Sequence, residues 1–270
     1  GEPVTLLGVI QDITEQKQFA DELSKQVRER TLELNRSNED LLHFAHIASH
    51  DLKEPVRKIK VFSNMLEEQF GELLPEKGQV YLGKVQNATN RMFSMIEGIL
   101  TYSAINASDQ TIENVDLNEV IDNIKTDLEV LIQFKNATIN SDALPVIEGA
   151  SVLIYQLFYN LVNNALKFSK ADVPTVITIR SVIINRDEID YAEISVADNG
   201  IGIEQEYTNQ IFNAFTRLNA KDKYEGTGLG LALCKKIVDR HHGMISATGI
   251  QNEGAVFTIL LPLEQLNKIV

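Results

Sequence analysis

Over the first hundred residues the apolar positions recur at helical spacing, and near residue 114 the spacing changes character. A short apolar run around Leu6 to Ile10 reads as a strand. From about Thr14 onward, Ala20, Val27, Leu34, Leu41 and Ala48 follow one another every seven residues. Leu23 and Phe44 occupy companion positions, and Arg30 and Ser37 interrupt that second row. An imperfect heptad seam of this kind predicts a parallel coiled coil, with a single exposed connector helix as the alternative. The stripe continues through Leu52, Val56, Ile59, Phe62, Leu66 and Phe70. Gly71 and Pro75 in FGELLPEKG then stop the helix, and Val85, Ala88, Met92, Met95, Ile99 and Tyr102 mark a second one. Two long helices joined by a tight turn make an antiparallel hairpin, which gains a full core by pairing with a second copy as a four-helix bundle.

Beyond Asn114 the elements are shorter and mixed. VDLNEVIDNIKTDLEVLI predicts a short helix, ATINSDALP a strand, and SVLIYQLFYNLVNNALKFS a second helix. TVITIRSVII and YAEISVADNG read as strands turned by INRDEID. A helix from Leu229 to His241 precedes a closing hairpin of MISATGI and AVFTILLP. The expected fold class is α+β: a coiled-coil linker and helical hairpin, followed by a domain with helices packed on one face of a sheet.

Composition narrows the possible partners. Among 270 residues, 25 Lys plus Arg against 38 Asp plus Glu give a formal charge of −13. Such a balance argues against nonspecific nucleic-acid binding, which needs clustered cations. With Cys234 as the sole cysteine, no intrachain disulfide can form, and a reducing, cytoplasmic location is expected. No apolar run of about 18 residues and no signal peptide is visible, so no membrane contact is expected within this stretch. The chain opens in the middle of an element, as a fragment of a longer protein, with or without a membrane anchor upstream, would.

Three stretches carry chemistry. In YQLFYNLVNNALKFS, Leu157, Leu161, Ala165 and Phe158, Val162, Leu166 form apolar rows, while Gln156, Asn160, Asn163, Asn164 and Lys167 run opposite. Asn160 and Asn164 are four apart and share a face, with Lys167 one turn further on. Asn is a poor helix former, so a row of amides with one lysine suggests groups aimed at a metal-phosphate ligand, with a polar face of tolerated residues as the equal alternative on this helix alone. In ISVADNGIGI an apolar strand runs into Asp198 and a turn with Gly200 and Gly202, where glycine permits φ > 0 and close approach of a ligand. The carboxylate is placed to accept a hydrogen bond from a ligand amine at a pocket floor. In EGTGLGLALCKKIV, Gly226, Gly228 and Gly230 lead directly into a helix, whose free N–H groups suit a phosphate. This loop is neither a Walker motif nor a dinucleotide fingerprint, because its spacing and the charged loop before it fit neither. Between these stretches, Phe212 and Phe215 could anchor a mobile segment from which Arg217, Lys221 and Lys223 reach phosphates; the plainer reading is an amphipathic turn and a solvated loop.

In this order, the amide helix, DNGIG, the phenylalanine segment and the glycine loop resemble the ATP-binding domain of sensor histidine kinases, over about residues 114–270. HIASHDLKEP and its hairpin resemble that family's dimerisation and histidine-phosphotransfer domain, over about 37–107. GVIQDITEQK resembles the end of a PAS sensor domain, over 1–13, leading into a coiled-coil signalling helix over 14–36. The resemblance implies an α/β-sandwich ATP-binding domain in which Asn164 ligates Mg²⁺ with Asn160 beside it, Lys167 faces the phosphates, and Asp198 takes the adenine amino group. It also implies that Gly200 and Gly202 shape that end. Phe212, Phe215 and Arg217 would belong to the phenylalanine box, and Gly226, Thr227, Gly228 and Gly230 to the second glycine box. Gly254 would lie in the closing strands. His50 would be the phosphoacceptor, assisted by Asp51. At about 100° per residue, His50 lies some 200° from Ala48 and Leu52, outside the apolar stripe; His43 and His46 share that side. An ordinary imidazole, with a pKa of about 6.5, is mostly neutral at pH 7 and able to attack phosphorus.

The implied activity is ATP-dependent autophosphorylation on histidine, then transfer to an aspartate of a response-regulator receiver domain. The implied assembly is a homodimer. Glu54 stands where many members carry Thr or Asn, and the HDLKEP variant resembles the subgroup containing bacterial phytochromes. The competing readings are an ATP-driven clamp of the same superfamily, which usually carries Glu where Asn160 stands, and a catalytically inactive nucleotide-binding scaffold.

Overall fold

In a computed structural model of the chain, residues 12, 14–105, 110–218 and 226–265 are described, without the side chains of 15, 16, 20, 21, 34–47, 50 and 104. The expected strand at Leu6–Ile10 and the lysines Lys221 and Lys223 lie outside the described residues. So do the side chains of Ala20, Leu34, Leu41, His43, His46 and His50. Residues 1–47 and 48–270 form two compact units.

In the first unit, helix α1 (Thr14–Phe70) begins where Asp12 Oδ1 accepts the Thr14 N–H at 2.9 Å. Its surface is tied by pairs at helical spacing, Gln26 with Glu22 and Arg30 with Glu33. Leu23 and Val27 of the expected seam are exposed in the single chain.

In the second unit, α1 runs on through Pro55 to Phe70, and α2 (Glu76–Ala104) returns alongside it after a tight turn. Side-chain contacts fix the pairing. Lys53 Nζ meets Glu97 Oε1 at 2.6 Å, Lys53 and Lys60 both lie over the Phe93 ring, and Gln86 Nε2 reaches Glu67 Oε2 at 2.7 Å. The buried residues of this pair are Ser49, Val56 and Ser63 from α1, and Thr89 and Ile96 from α2. Of the expected α1 stripe, only Val56 is buried: Leu52, Ile59, Phe62, Leu66 and Phe70 stay exposed, as do Val85 and Met92 of α2. One neighbouring helix covers only a narrow strip, so most of the apolar stripe faces away from it.

After β1 (Glu113–Asp116), the chain forms α3 (Leu117–Asp127), α4 (Glu129–Phe134), β2 (Thr138–Ser141), β3 (Val146–Gly149), α5 (Ser151–Lys167), β4 (Val176–Arg186), β5 (Ile189–Asp198), α6 (Gly230–Arg240), β6 (Met244–Ile250) and β7 (Gly254–Pro262). The main sheet has the order β2-β4-β5-β7-β6, with β2 parallel to β4 and every other pair antiparallel. Strand alternation places Ile177, Ile179, Ala192, Ile194, Val196, Phe257, Ile259 and Leu261 on one face. The register aligns them in rows such as Ile179, Val196 and Phe257. Helices α3, α5 and α6 cover this face with Ile121, Ile124, Leu157, Leu161 and Ile237, all buried. Each such side chain contributes about 1.5–3 kcal/mol by leaving water.

Three elements differ from the sequence reading. VDLNEV is not wholly helical: Asp116 caps α3, its Oδ1 accepting the Asn118 N–H at 2.8 Å, and the residues before it pair with β3 as a second, two-stranded sheet. The helix also breaks at Leu128, which has φ −100° and ψ 9°, to start α4. The β4–β5 strands run further than expected, so their turn is only Asp187–Glu188, both with positive φ.

Candidate active site

Asp198 shares the parity of Ala192, Ile194 and Val196, so its carboxylate emerges on the helix-covered face, at the end of β5. Gly200 donates its N–H to Asp198 Oδ1 at 2.8 Å. Burial pushes the carboxyl upward, while backbone N–H donors of Gly200 and Ala255, and the charge of Lys170, pull it back. Above it, α5 turns its polar row toward the same space. Together they line a cavity of about 360 Å³ whose wall includes Asn160, Asn163, Asn164, Lys167, Asp198 and Gly202. That volume lies within the usual range for small-ligand sites.

The remaining wall is the glycine loop. Gly226, Thr227, Gly228 and Gly230 line the cavity with Thr216 and Arg217. Arg217 Nη1 donates to Gly226 O at 2.8 Å, and Phe215 N donates to Gly228 O at 2.9 Å, so both ends of the segment between them are tied together. Gly226 and Gly228 have φ of 152° and 75°, and a Cβ on Gly226 would lie 2.5 Å from Lys167 Nζ. The loop thus brings backbone N–H groups and the ammonium of α5 to one end of the cavity, a setting for a polyanion.

Of the residues expected from sequence, Gly200, Phe212 and Phe215 do not line the cavity. Gly200 lies behind Asp198, where a Cβ would come within 2.5 Å of Phe168 O. Phe212 belongs to the core, and Phe215 is exposed at φ 64°. Asp51 and Glu54 lie on the exposed side of α1, and position 50 is helical. Sequence reasoning missed several lining residues: Ser94 from α2, Ile203, Ile211 and Leu231. Nothing local marks Ser94, since only the fold brings α2 to the cavity.

Asn160 Oδ1 accepts from Gln156 Nε2 at 3.2 Å, but the buried Nδ2 has no hydrogen-bond partner of ordinary geometry. The nearby Cys234 sulfur is at most a weak acceptor. An orphaned donor on a cavity wall is an expensive group that a ligand oxygen can satisfy. Cys234 itself is fully buried, its Sγ directed to Leu157 O at 3.7 Å, and burial pushes its thiol up to about 12.

His241, given no role from sequence, fixes the far end of α5. Its Nε2 accepts the Ala150 N–H at 3.0 Å and its Nδ1 sits 2.7 Å from Ile237 O, an arrangement that requires the neutral ring with the proton on Nδ1. The ring lies against Gly149, and His242 at φ 56° completes the end of α6 with its N–H on Asp239 O. Burial lowers the His241 pKa below the ordinary 6.5, with Arg240 and His242 adding to the effect and Ile237 O opposing it. The unfolded chain therefore binds this proton more readily than the folded one. Stability is full above about pH 6.5 and falls as pH drops from there toward the depressed folded value. The urea midpoint should fall between pH 7.5 and 5.5, and His241→Leu should flatten that contribution while costing about 1–3 kcal/mol at pH 7.5.

Two family models match separate stretches of the chain. Residues 149–265 match the family model "Histidine kinase-, DNA gyrase B-, and HSP90-like ATPase", which defines the α/β domain as an ATP-binding one. Residues 40–108 match the "His Kinase A (phospho-acceptor) domain". The phytochrome-like protein Cph1 of Synechocystis sp. is 34% identical over 244 residues, 90% of this chain and 31% of that protein. Cyanobacterial phytochrome B of Nostoc sp. is 36% identical over 253 residues, 90% of this chain and 32% of that protein. The chain thus spans about a third of the length of these relatives. A crystal structure of full-length ShkA in complex with AMPPNP shares the fold, with a TM-score of 0.62 and 21% identity over 82% of this chain and 45% of that one. The chain belongs to the sensor histidine kinases, of which it is a transmitter region.

Proposed function

We propose that this chain binds Mg²⁺-ATP, phosphorylates itself on His50 and passes the phosphoryl group to an aspartate of a response-regulator receiver domain. The observation that carries the reading is the pairing, in one chain, of a phosphoacceptor-type helix containing HDLKEP with a cavity that joins an amide row, a buried carboxylate and a glycine loop. The phytochromes it resembles, and the AMPPNP held by ShkA, support the same assignment.

The residues present suit Mg²⁺ brought in with the nucleotide. Among the described residues no cluster of three His, Cys, Asp or Glu side chains could hold a metal ion, and the polar row of α5 puts the side-chain amides of Asn160 and Asn164 on the wall. Mg²⁺ binds well to one or two protein oxygens plus phosphates and water. In this reading Asn164 supplies the protein ligand and Mg²⁺, when bound, offsets charge on the phosphates. Asp198 accepts the adenine amine, Gly202 leaves room beside it, and Lys167 with the N–H groups of Gly226–Gly230 holds the phosphates. The neutral His50 imidazole attacks the γ-phosphorus, the bond to the bridging oxygen breaks, and ADP leaves with its electrons. Asp51 orients the ring and takes up its second proton as charge develops.

The apolar residues left exposed on the hairpin, among them Leu52, Ile59, Phe62, Val85 and Met92, support pairing with a second copy. The division into a PAS-like end, coiled-coil helix, hairpin and catalytic domain belongs to the same proposal. With γ-labelled ATP, the chain should acquire an acid-labile, base-stable adduct that maps to the peptide containing His50. A label on His43 or His46, or one stable to acid, overturns the assignment.

A further inference from the structure

The ladder between β4 and β5 ends at Ile177 and Asp198, and the next residue is joined to β4 in another way. The backbone of Asn199 leaves the sheet while its side chain stays. Asn199 Oδ1 accepts the Val176 N–H at 2.9 Å, and its Nδ2 donates to the Pro174 carbonyl at 2.9 Å. A carboxamide carries one accepting and one donating end. By bonding to the residues on either side of Thr175, it copies what the backbone of one strand residue does in a parallel ladder.

The rest of the turn is held from other directions. Ile201 N donates to Phe168 O at 3.0 Å, and Gly200 N donates to Asp198 Oδ1 at 2.8 Å. Gly254 lies so close that a Cβ there would stand 2.0 Å from the Asp198 carbonyl oxygen and 3.1 Å from Asn199 Cα. Residues 169–175, between α5 and β4, are thus tied at both ends to residues 199–201. Their own side chains add little, since the buried hydroxyls of Ser169 and Thr175 find no hydrogen-bond partner among the described residues. Lys170 of the same segment is near enough to Asp198 for its charge to draw that carboxyl's pKa down.

Asp198 lines the cavity, whereas Asn199, Lys170 and Thr175 do not. Whatever Asn199 does for a ligand therefore passes through its neighbour. Without the two amide bonds, the end of β5 is free to fray, and the carboxylate turns with it. Hydrogen bonds weaken steeply away from alignment, and discrimination for one exocyclic group rests on that alignment.

We propose that Asn199 is a positioning residue for adenine recognition: its carboxamide fixes the end of β5, and with it the angle at which Asp198 meets an exocyclic amine. This rests on the ATP reading above. Asn199 thereby sets the preference for adenine over purines that lack the amine, without touching the nucleotide.

The test compares ATP with purine riboside triphosphate, in which hydrogen replaces the amine, on the full chain. Wild type should prefer ATP. In Asn199→Ala, ATP affinity should fall about tenfold, the scale of one hydrogen bond to a charged group. Affinity for the analogue, and the rate of label incorporation at saturating ATP, should stay within about twofold. Both amide bonds are exposed to solvent, so water replaces them and melting should fall by no more than about 4 °C. Hydrogen exchange at the Val176 amide should speed up. In Asp198→Asn, where the carboxylate is gone, adding Asn199→Ala should cause no further loss of ATP affinity. Equal weakening of both nucleotides, or a further tenfold loss in the double variant, reduces Asn199 to a structural residue and overturns the proposal. So does an ATP preference kept intact in Asn199→Ala. A wild-type chain that binds the two nucleotides alike, or binds neither, overturns the ATP reading itself, and the positioning role falls with it.

Discussion

Replacing His50 by glutamine removes the acid-labile label entirely and leaves ATP binding unchanged. Glutamine keeps a helical, polar side chain of similar reach on α1, but its amide nitrogen is not a nucleophile toward phosphorus. None of the cavity residues is altered, since the described wall is drawn from α2, α5, β5, the start of α6, β7 and the loops around them. Filter-bound label and a nucleotide titration on the same preparation separate the two quantities. Label retained at the wild-type level in His50→Gln would remove His50 as the acceptor. Asn164→Ala reaches the same endpoint by another route: transfer falls about 10²–10³-fold, the scale of losing one preorganised polar group at a developing charge. In that variant the Mg²⁺ dependence of ATP binding should weaken as well, which His50→Gln does not predict.

Gly202→Ala abolishes nucleotide binding and loosens the domain. Gly202 has φ 73°, and a Cβ there would stand 1.9 Å from the Ile250 carbonyl oxygen and 3.1 Å from that of Gly254. Both contacts are backbone, so β6 would have to leave the turn that follows Asp198. That turn is held on both sides, by Ile201 N on Phe168 O at 3.0 Å and by Asn252 N on Ile201 O at 2.7 Å. Strain and separation together should cost about 2–4 kcal/mol of stability. Displacement of the cavity wall should weaken ATP binding by about a hundredfold or more, since sites of this kind fail with shifts near 1 Å. Gly230→Ala is the matched control. Nothing lies within 4 Å of a Cβ at that position, which opens α6, so the melting temperature should hold. A Gly202→Ala variant with unchanged melting and affinity would show that the turn can open without consequence.

Much of the site was legible because its chemistry is local. An amide row at helical spacing, an acidic residue closing an apolar strand and a glycine run opening a helix are each written within a few residues. Asp198, for instance, needs only the parity of β5 to point at the helices. The phenylalanine segment was less legible: Phe212 and Phe215 are three apart, yet one is in the core and the other faces solvent, because Phe215 takes a positive φ that no residue pattern announces. β1 and β3 were missed because four residues are too few to show a period, and their pairing joins positions thirty or more residues apart. The hairpin stripe was visible as a stripe, but a periodic pattern names a face without naming what covers it. His241 gave no signal at all. Its role depends on Ala150, which only the fold brings to its ring.

The burial of Cys234 beneath Asn160 has a consequence for how the domain can be watched. This chain's one thiol cannot meet an alkylating reagent until α5 and α6 part. Its modification rate is therefore a clock for breathing of the ATP-binding layer, and a bound nucleotide that pins the two helices should slow that clock.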